Sequence, residues 1–228
     1  MARNTDPESA LAARLGHRFR EPALLRAALT HRSAGGANNE RLEFLGDAVL
    51  GMLIAETVYG GPPRADEGDL SRLRASLVNA RTLAAVASEL GLGEALTLGA
   101  GELKSGGFRR ESILADALEA LIGAVYLDGG LEAARAVVAA RFATRLAQLP
   151  DPATLKDPKT RLQEQLQQQG LALPDYAVVE ISGADHAQTF RVRCGVASRA
   201  LEAEGSGRSR REAEQAAAAA VLERLARG

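Results

Sequence analysis

The sequence predicts a mainly helical protein in two parts. A helical domain spans residues 1–149, a linker follows at 150–156, and a small α-β-β-β-α domain occupies 157–228. Three observations carry this. Aliphatic residues and Ala dominate the apolar fraction while aromatics make up 4%, a composition that favours helices. The first 149 residues read as helix after helix. Then Pro150-Asp-Pro-Ala-Thr-Leu-Lys-Asp-Pro158 sets three prolines within nine residues, where a helix cannot continue and a linker fits.

Each element has its own signal. Glu8 to Leu15 is a short first helix, and Glu21 to Leu29 a second, with Pro22 at a helix start where its missing N–H costs nothing. The loop Ser33-Ala-Gly-Gly-Ala-Asn-Asn39 precedes a long apolar run from Arg41 to Tyr59, which Gly60-Gly-Pro-Pro63 ends. Further helices fit Glu67 to Asn79, Ala80 to Leu90, Arg110 to Leu127 and Leu131 to Leu149. The glycines of Gly99-Ala-Gly101 and Ser105-Gly-Gly107 read as turns. Beyond the linker, Thr160 to Gln169 is helical and Gln-rich. Tyr176 to Ile181 and Thr189 to Cys194 alternate as strands, with a turn at Gly183-Ala-Asp-His186. Ala197 to Gly205 is expected as a third strand, and Ser209 to Leu225 as an Ala-rich closing helix.

Composition excludes several classes. The net charge is −1, so affinity for nucleic acid must come from local patches, not a global field. The single cysteine, Cys194, rules out an intramolecular disulfide and reads as a small core residue. No run of about 18 apolar residues is present, so no membrane span is expected. The N-terminus lacks the apolar core of a signal peptide. A soluble protein of a reducing, cytoplasmic compartment is the expectation.

Carboxylates provide the chemical clue. In Leu42-Glu-Phe-Leu-Gly-Asp-Ala-Val-Leu-Gly-Met-Leu-Ile-Ala55 the only charges are Glu43 and Asp47. In Ile113-Leu-Ala-Asp-Ala-Leu-Glu-Ala-Leu-Ile-Gly-Ala-Val-Tyr-Leu127 they are Asp116 and Glu119. Each pair shares a helix face, and Glu40 joins the first. A helix apolar nearly all round belongs in a core, where a carboxylate must be paired, protonated or bound to a cation. Three readings are open: neutralisation by the flanking Arg41 or Arg109-Arg110, a solvated acidic face, or a hard divalent cation such as Mg²⁺ or Mn²⁺ held by oxygens from two helices. A further cluster, Asp66-Glu-Gly-Asp69, reads locally as a helix cap.

Other chemistries lack their residues. No histidine lies three residues after a Glu, as di-iron bundles require. There is no Cys/His set for zinc, no Gly-x-Ser-x-Gly and no Walker-type phosphate loop.

The C-terminal part has its own cue. Gly205-Ser-Gly-Arg-Ser-Arg-Arg211 leads into the last helix. Its glycines, its helix N-terminus and Arg208, Arg210 and Arg211 suit a phosphate, while Ser209 also reads as a plain N-cap. Thr160, Gln163, Glu164 and Gln167 line one helix face, which could meet 2′-hydroxyls in the minor groove of A-form RNA or be an ordinary polar face.

Asn39-Glu-Arg-Leu-Glu-Phe-Leu-Gly-Asp47 resembles the signature of the bacterial ribonuclease III family. Asp66 to Arg74 and Gly101 to Glu119 resemble its other blocks, and residues from about Asp157 to Leu225 are similar to its double-stranded-RNA-binding domain. The resemblance implies an all-helical, Mg²⁺-dependent endonuclease, with Mn²⁺ substituting. It implies a homodimer that cleaves both strands of double-stranded RNA to 5′-phosphate and 3′-hydroxyl ends, in processing of ribosomal precursors and messengers. It assigns Glu43, Asp47, Asp116 and Glu119 to the metal, with Asp47 and Glu119 foremost in catalysis. Glu40 and Glu67 become supporting acidic residues, reversing the cap reading for Glu67. Phe44 becomes a dimer contact, where the residues alone suggest plain core. Thr160, Gln163, Gln167, His186, Arg210 and Arg211 match RNA-contact regions. One departure is Arg210-Arg-Glu-Ala-Glu214, where such domains often carry Lys-Lys-x-Ala-Lys. The acidic Glu214 puts that phosphate contact in doubt.

Overall fold

The computed structural model describes residues 7–61, 65–184 and 187–227. His186, expected at the RNA, lies outside them. The chain divides into two compact units, residues 1–152 and 153–228.

The first unit is built from eight helices among the described residues: α1 (Pro7–Leu15), α2 (Pro22–Leu29), α3 (Glu40–Tyr59), α4 (Glu67–Val78), α5 (Ala80–Glu89), α6 (Leu92–Ala95), α7 (Ala100–Lys104) and α8 (Glu111–Ala147). Asp66 and Asp69 form a reciprocal capping box at the start of α4, as the cap reading holds. The short α7 arises where the sequence suggested turns, and α6 lies in a stretch given no element from sequence. Gly99 precedes α7 because it must approach another segment: a Cβ there would lie 2.1 Å from the Ser33 carbonyl oxygen. The expected pair of helices after residue 110 is present: the span named α8 is two helices that meet at Gly130, whose φ of 78° is non-helical and would resist a side chain.

The central helices α3 and α8 form the most extensive contact of this unit. Leu50, Leu53 and Ile54 from α3 are buried, as are Leu118, Leu121 and Val125 from α8. Two glycines set the approach. A Cβ at Gly46 would sit 1.7 Å from the Glu119 carbonyl oxygen, and one at Gly123 would sit 2.4 Å from that of Leu42. The helices therefore meet backbone to backbone, which only glycine permits.

The second unit holds α9 (Pro152–Leu155), α10 (Pro158–Gln168), β1 (Asp175–Ser182), β2 (Thr189–Val196), β3 (Leu201–Gly207) and α11 (Arg210–Arg227). The segment expected as an unstructured linker thus carries a helical turn. Pro152 and Pro158 start helices, where a missing N–H is harmless. The strands pair antiparallel in the order β1-β2-β3. The third strand begins at Leu201, not Ala197, because 197–199 form a 3₁₀ turn and Ala200 takes a left-handed conformation. Leu162, Leu166, Cys194, Val196, Ala217, Ala218 and Val221 make the core, and Cys194 is the buried residue its context suggested. Gly205 and Gly207 are packing residues: a Cβ at Gly205 would meet the Ala217 nitrogen at 2.1 Å. Close packing of β3 on α11 thus gives these two glycines a structural role of their own.

Candidate metal centre and RNA-facing surface

The approach of α3 to α8 decides where the carboxylates go. Glu43 lies three residues before Gly46, and Asp116 and Glu119 lie in the two turns before Gly123. Oxygens of Glu43, Asp116 and Glu119 come within 4.8 Å of one another, and all three side chains are half-buried. Asp47 is more exposed and is not one of the three converging groups, yet its charge acts on Glu119. Burial, followed by the charges of Asp47, Asp116 and Glu43, pushes the Glu119 carboxyl up to about 7. Burial also raises Glu43, with Asp116 and Glu40 adding to it and Arg32 opposing. Asp116 is raised by burial against the pull of His31 and Arg32.

These shifts describe oxygens that lack a counter-charge. The flanking arginines do not supply it. Arg110 pairs with Glu102 at 2.8 Å, and Arg109 lies over the Phe108 ring at 4.9 Å. Arg32, whose charge acts on Glu43 and Asp116, pairs loosely with Glu40 at 3.7 Å. Three carboxylates that crowd and desolvate one another fit a hard divalent cation, which prefers oxygen ligands.

Glu43 and Asp116 open onto a cavity of about 290 Å³ lined also by His31, Asn39, Glu40 and Arg110, among others. Two of these residues were not singled out from sequence. His31 is fixed by Ser33, whose backbone N–H donates to Nδ1 at 3.2 Å and whose Oγ lies 2.8 Å from it. Asn39 is 2% exposed. Its N–H donates to the Thr30 carbonyl at 2.9 Å, and its own carbonyl accepts from the Glu43 N–H at 2.8 Å. Its side chain makes no cap bond to α3, and Nδ2 is buried without a protein partner. Its position directly before the acidic motif was the available signal, but Asn before a helix reads as a cap.

The remaining candidates lie elsewhere. Glu67 is exposed at the start of α4 and accepts from the Ser71 hydroxyl at 2.8 Å, outside the converging group. Phe44 is 82% exposed, so the plain-core reading is overturned. The buried face of α3 carries Leu42, Gly46, Val49, Leu50, Leu53, Ile54 and Val58, and Phe44 points away from it. With Met52 and the 80% exposed Tyr59 it makes an apolar stripe on that helix.

In the second unit Thr160, Gln163 and Gln167 share the exposed face of α10, opposite buried Leu162 and Leu166. Glu164, on the same run, instead bonds Lys156 at 2.8 Å. Arg208, Arg210 and Arg211 are exposed around the start of α11. Ser209 Oγ accepts from the Glu212 N–H at 3.2 Å, and the Glu212 carboxylate accepts from the Arg208 N–H at 2.8 Å. The cap and the basic turn thus coexist.

Comparison with known proteins follows the same division. The family described as Ribonuclease-III-like matches residues 21–146, and the double-stranded RNA binding motif matches residues 158–225. Ribonuclease 3 of Alkalilimnicola ehrlichii is 58% identical over 219 residues, 96% of each chain. Ribonuclease 3 of Vibrio cholerae is 54% identical over 98% of this chain and the whole of the relative. Among solved structures, the nuclease domain of ribonuclease III from Campylobacter jejuni, described for a flexible region involved in its dimer formation, aligns with a TM-score of 0.56. It is 44% identical and covers 61% of this chain and 94% of its own. Two matched regions that between them run from residue 21 to residue 225, one holding the crowded carboxylates and the other the polar helix face, place this chain in the ribonuclease III family.

Proposed function

We propose that this protein cuts both strands of double-stranded RNA at sites held by Glu43, Asp47, Asp116 and Glu119, leaving 5′-phosphate and 3′-hydroxyl ends. Family membership carries the coarser statement, a divalent-metal-dependent endoribonuclease acting on double-stranded RNA. The finer terms are Mg²⁺ as the working ion with Mn²⁺ able to substitute, and ribosomal precursors and messengers as substrates in the cytoplasm. The observation that carries the reading is the convergence of three carboxylates, two of which, Glu43 and Asp116, line a cavity.

Glu43, Asp116 and Glu119 would hold the cation, with Asp47 adding negative charge beside them. When bound, a divalent ion there supplies Lewis acidity and charge neutralisation at a scissile phosphate. Burial of the carboxylates limits competing water and so strengthens their pull on a cation. Glu40 and Glu67 are supporting acidic residues in this reading, further from the converging oxygens. Thr160, Gln163 and Gln167 offer hydroxyl and amide groups to the 2′-hydroxyls of a duplex. Arg208, Arg210 and Arg211 offer charge to its phosphates. Phe44, Met52 and Tyr59 would be covered by the second copy in a homodimer, whose two centres would each serve one strand.

The test is a long RNA duplex incubated with the protein in Mg²⁺ and in EDTA, alongside Glu119→Gln. Cleavage in Mg²⁺ alone is expected, with the variant binding the duplex yet slower by about a hundredfold or more. Tight binding without cleavage by the wild type in either condition would leave a binding protein and end the enzyme reading.

A further inference from the structure

The acidic residue that breaks the basic run of the last helix is buried. Glu214 is 8% exposed in the second turn of α11. Its Oε1 accepts from Arg210 Nε at 2.9 Å, and its Oε2 accepts from Lys159 Nζ. Lys159 comes from the first turn of α10, and its ammonium lies 4.5 Å from the centre of the Tyr176 ring. A neighbouring pair runs in parallel: Gln215 donates to Asp157, and Asp157 caps α10 by accepting the Lys159 N–H at 2.8 Å. The carboxylate faces inward while Arg210 and Lys159 keep 65% and 34% of their side chains exposed. Lys159, then Arg210, holds the Glu214 carboxyl below the usual range despite its burial.

We propose that Glu214 is a positioning residue for RNA binding: it fixes Lys159 and Arg210 side by side at the joined starts of α10 and α11, so that a second helix contributes a phosphate-facing cation where position 214 of α11 has none. This rests on the double-stranded-RNA reading and deepens it. A long cation held in one geometry loses less conformational freedom on meeting a phosphate than a free one does. Two cations brought this close also repel each other unless an anion lies between them. Lys159 thereby stands in for the lysine that residue 214 lacks. Its packing over Tyr176, together with the Glu214 carboxylate, limits where its ammonium can go.

The proposal makes a prediction opposite in sign to simple charge counting. Glu214→Gln and Glu214→Lys make the domain more positive, so a uniform electrostatic attraction would tighten RNA binding. With Glu214 as the organiser, both weaken it. The assay measures the affinity of the full chain for a 30-base-pair RNA duplex (about two binding-domain footprints) in EDTA, across a salt series. Glu214→Gln is expected to bind roughly fivefold more weakly, with a salt slope shallower by about one unit. Lys159→Met, which keeps the apolar stem over Tyr176, is expected to show the same loss of slope, with circular dichroism reporting a domain that is still folded under the assay conditions. This second variant guards against a Glu214 change that merely unfolds the domain. Tighter binding by either Glu214 variant, or a wild-type slope in Lys159→Met, would overturn the proposal. Failure of the wild type to bind the duplex at all would instead remove the RNA reading beneath it.

Discussion

At residue scale, Glu119 has a thermodynamic consequence that can be measured without RNA. Its folded-state pKa of about 7 stands above the ordinary value of 4.5. A carboxyl shifted this way adds stability below its unfolded pKa and loses it as pH climbs through the folded one. The cation-free protein should therefore lose stability between about pH 5 and about pH 8 more steeply than Glu119→Gln does. Urea midpoints in EDTA would show it. Saturating Mg²⁺ should close most of that gap, because the ion relieves the repulsion the proton otherwise relieves. Equal pH slopes for the two proteins would mean that Glu119 is well solvated. The carboxylates themselves were legible in the sequence, since each stood out against an apolar stretch. Asp47 was placed with them by its i,i+4 spacing to Glu43, but spacing fixes a helix face only to within a quarter turn, and Asp47 sits more exposed. His31 and Asn39 were invisible because their contribution depends on the loop bringing Thr30 beside Thr97.

At the scale of elements, α3 and α8 depend on Gly46 and Gly123. Gly46→Ala would set a methyl 1.7 Å from the Glu119 carbonyl oxygen. Backbone cannot yield as a flexible side-chain end can, so the helices must part. A destabilisation of about 3 kcal/mol is expected, together with weaker Mn²⁺ binding measured calorimetrically, since the proposed metal ligands ride on both helices. Unchanged stability in Gly46→Ala would show that the pair can separate freely. The helices were readable from apolar runs and caps, as were the α-β-β-β-α order and the buried Cys194. The short α6 and α7 were not, since glycine near a helix start reads locally as a turn. The late start of β3 escaped too: Ala200 adopts a left-handed conformation that alanine's propensities do not announce. The prolines near residue 155 were read as helix breakers, whereas each breaks a helix only from within.

At the scale of the whole molecule, the apolar stripe of Phe44, Met52 and Tyr59 requires cover. Phe44→Asp should raise the dissociation constant of the homodimer by at least about 30-fold. Sedimentation velocity would register this as a shift towards the monomer, and an unchanged profile would exclude the stripe from the contact between copies. No sequence pattern distinguished this surface from core, because an aromatic on an apolar helix looks alike in both settings until the helix is oriented. Glu43 and Phe44 are consecutive residues of one helix, one turned towards the converging carboxylates and the other outward. With the proposed homodimer formed through the stripe, turnover becomes tied to how much protein is present: dilution that separates the copies should lower the activity per molecule.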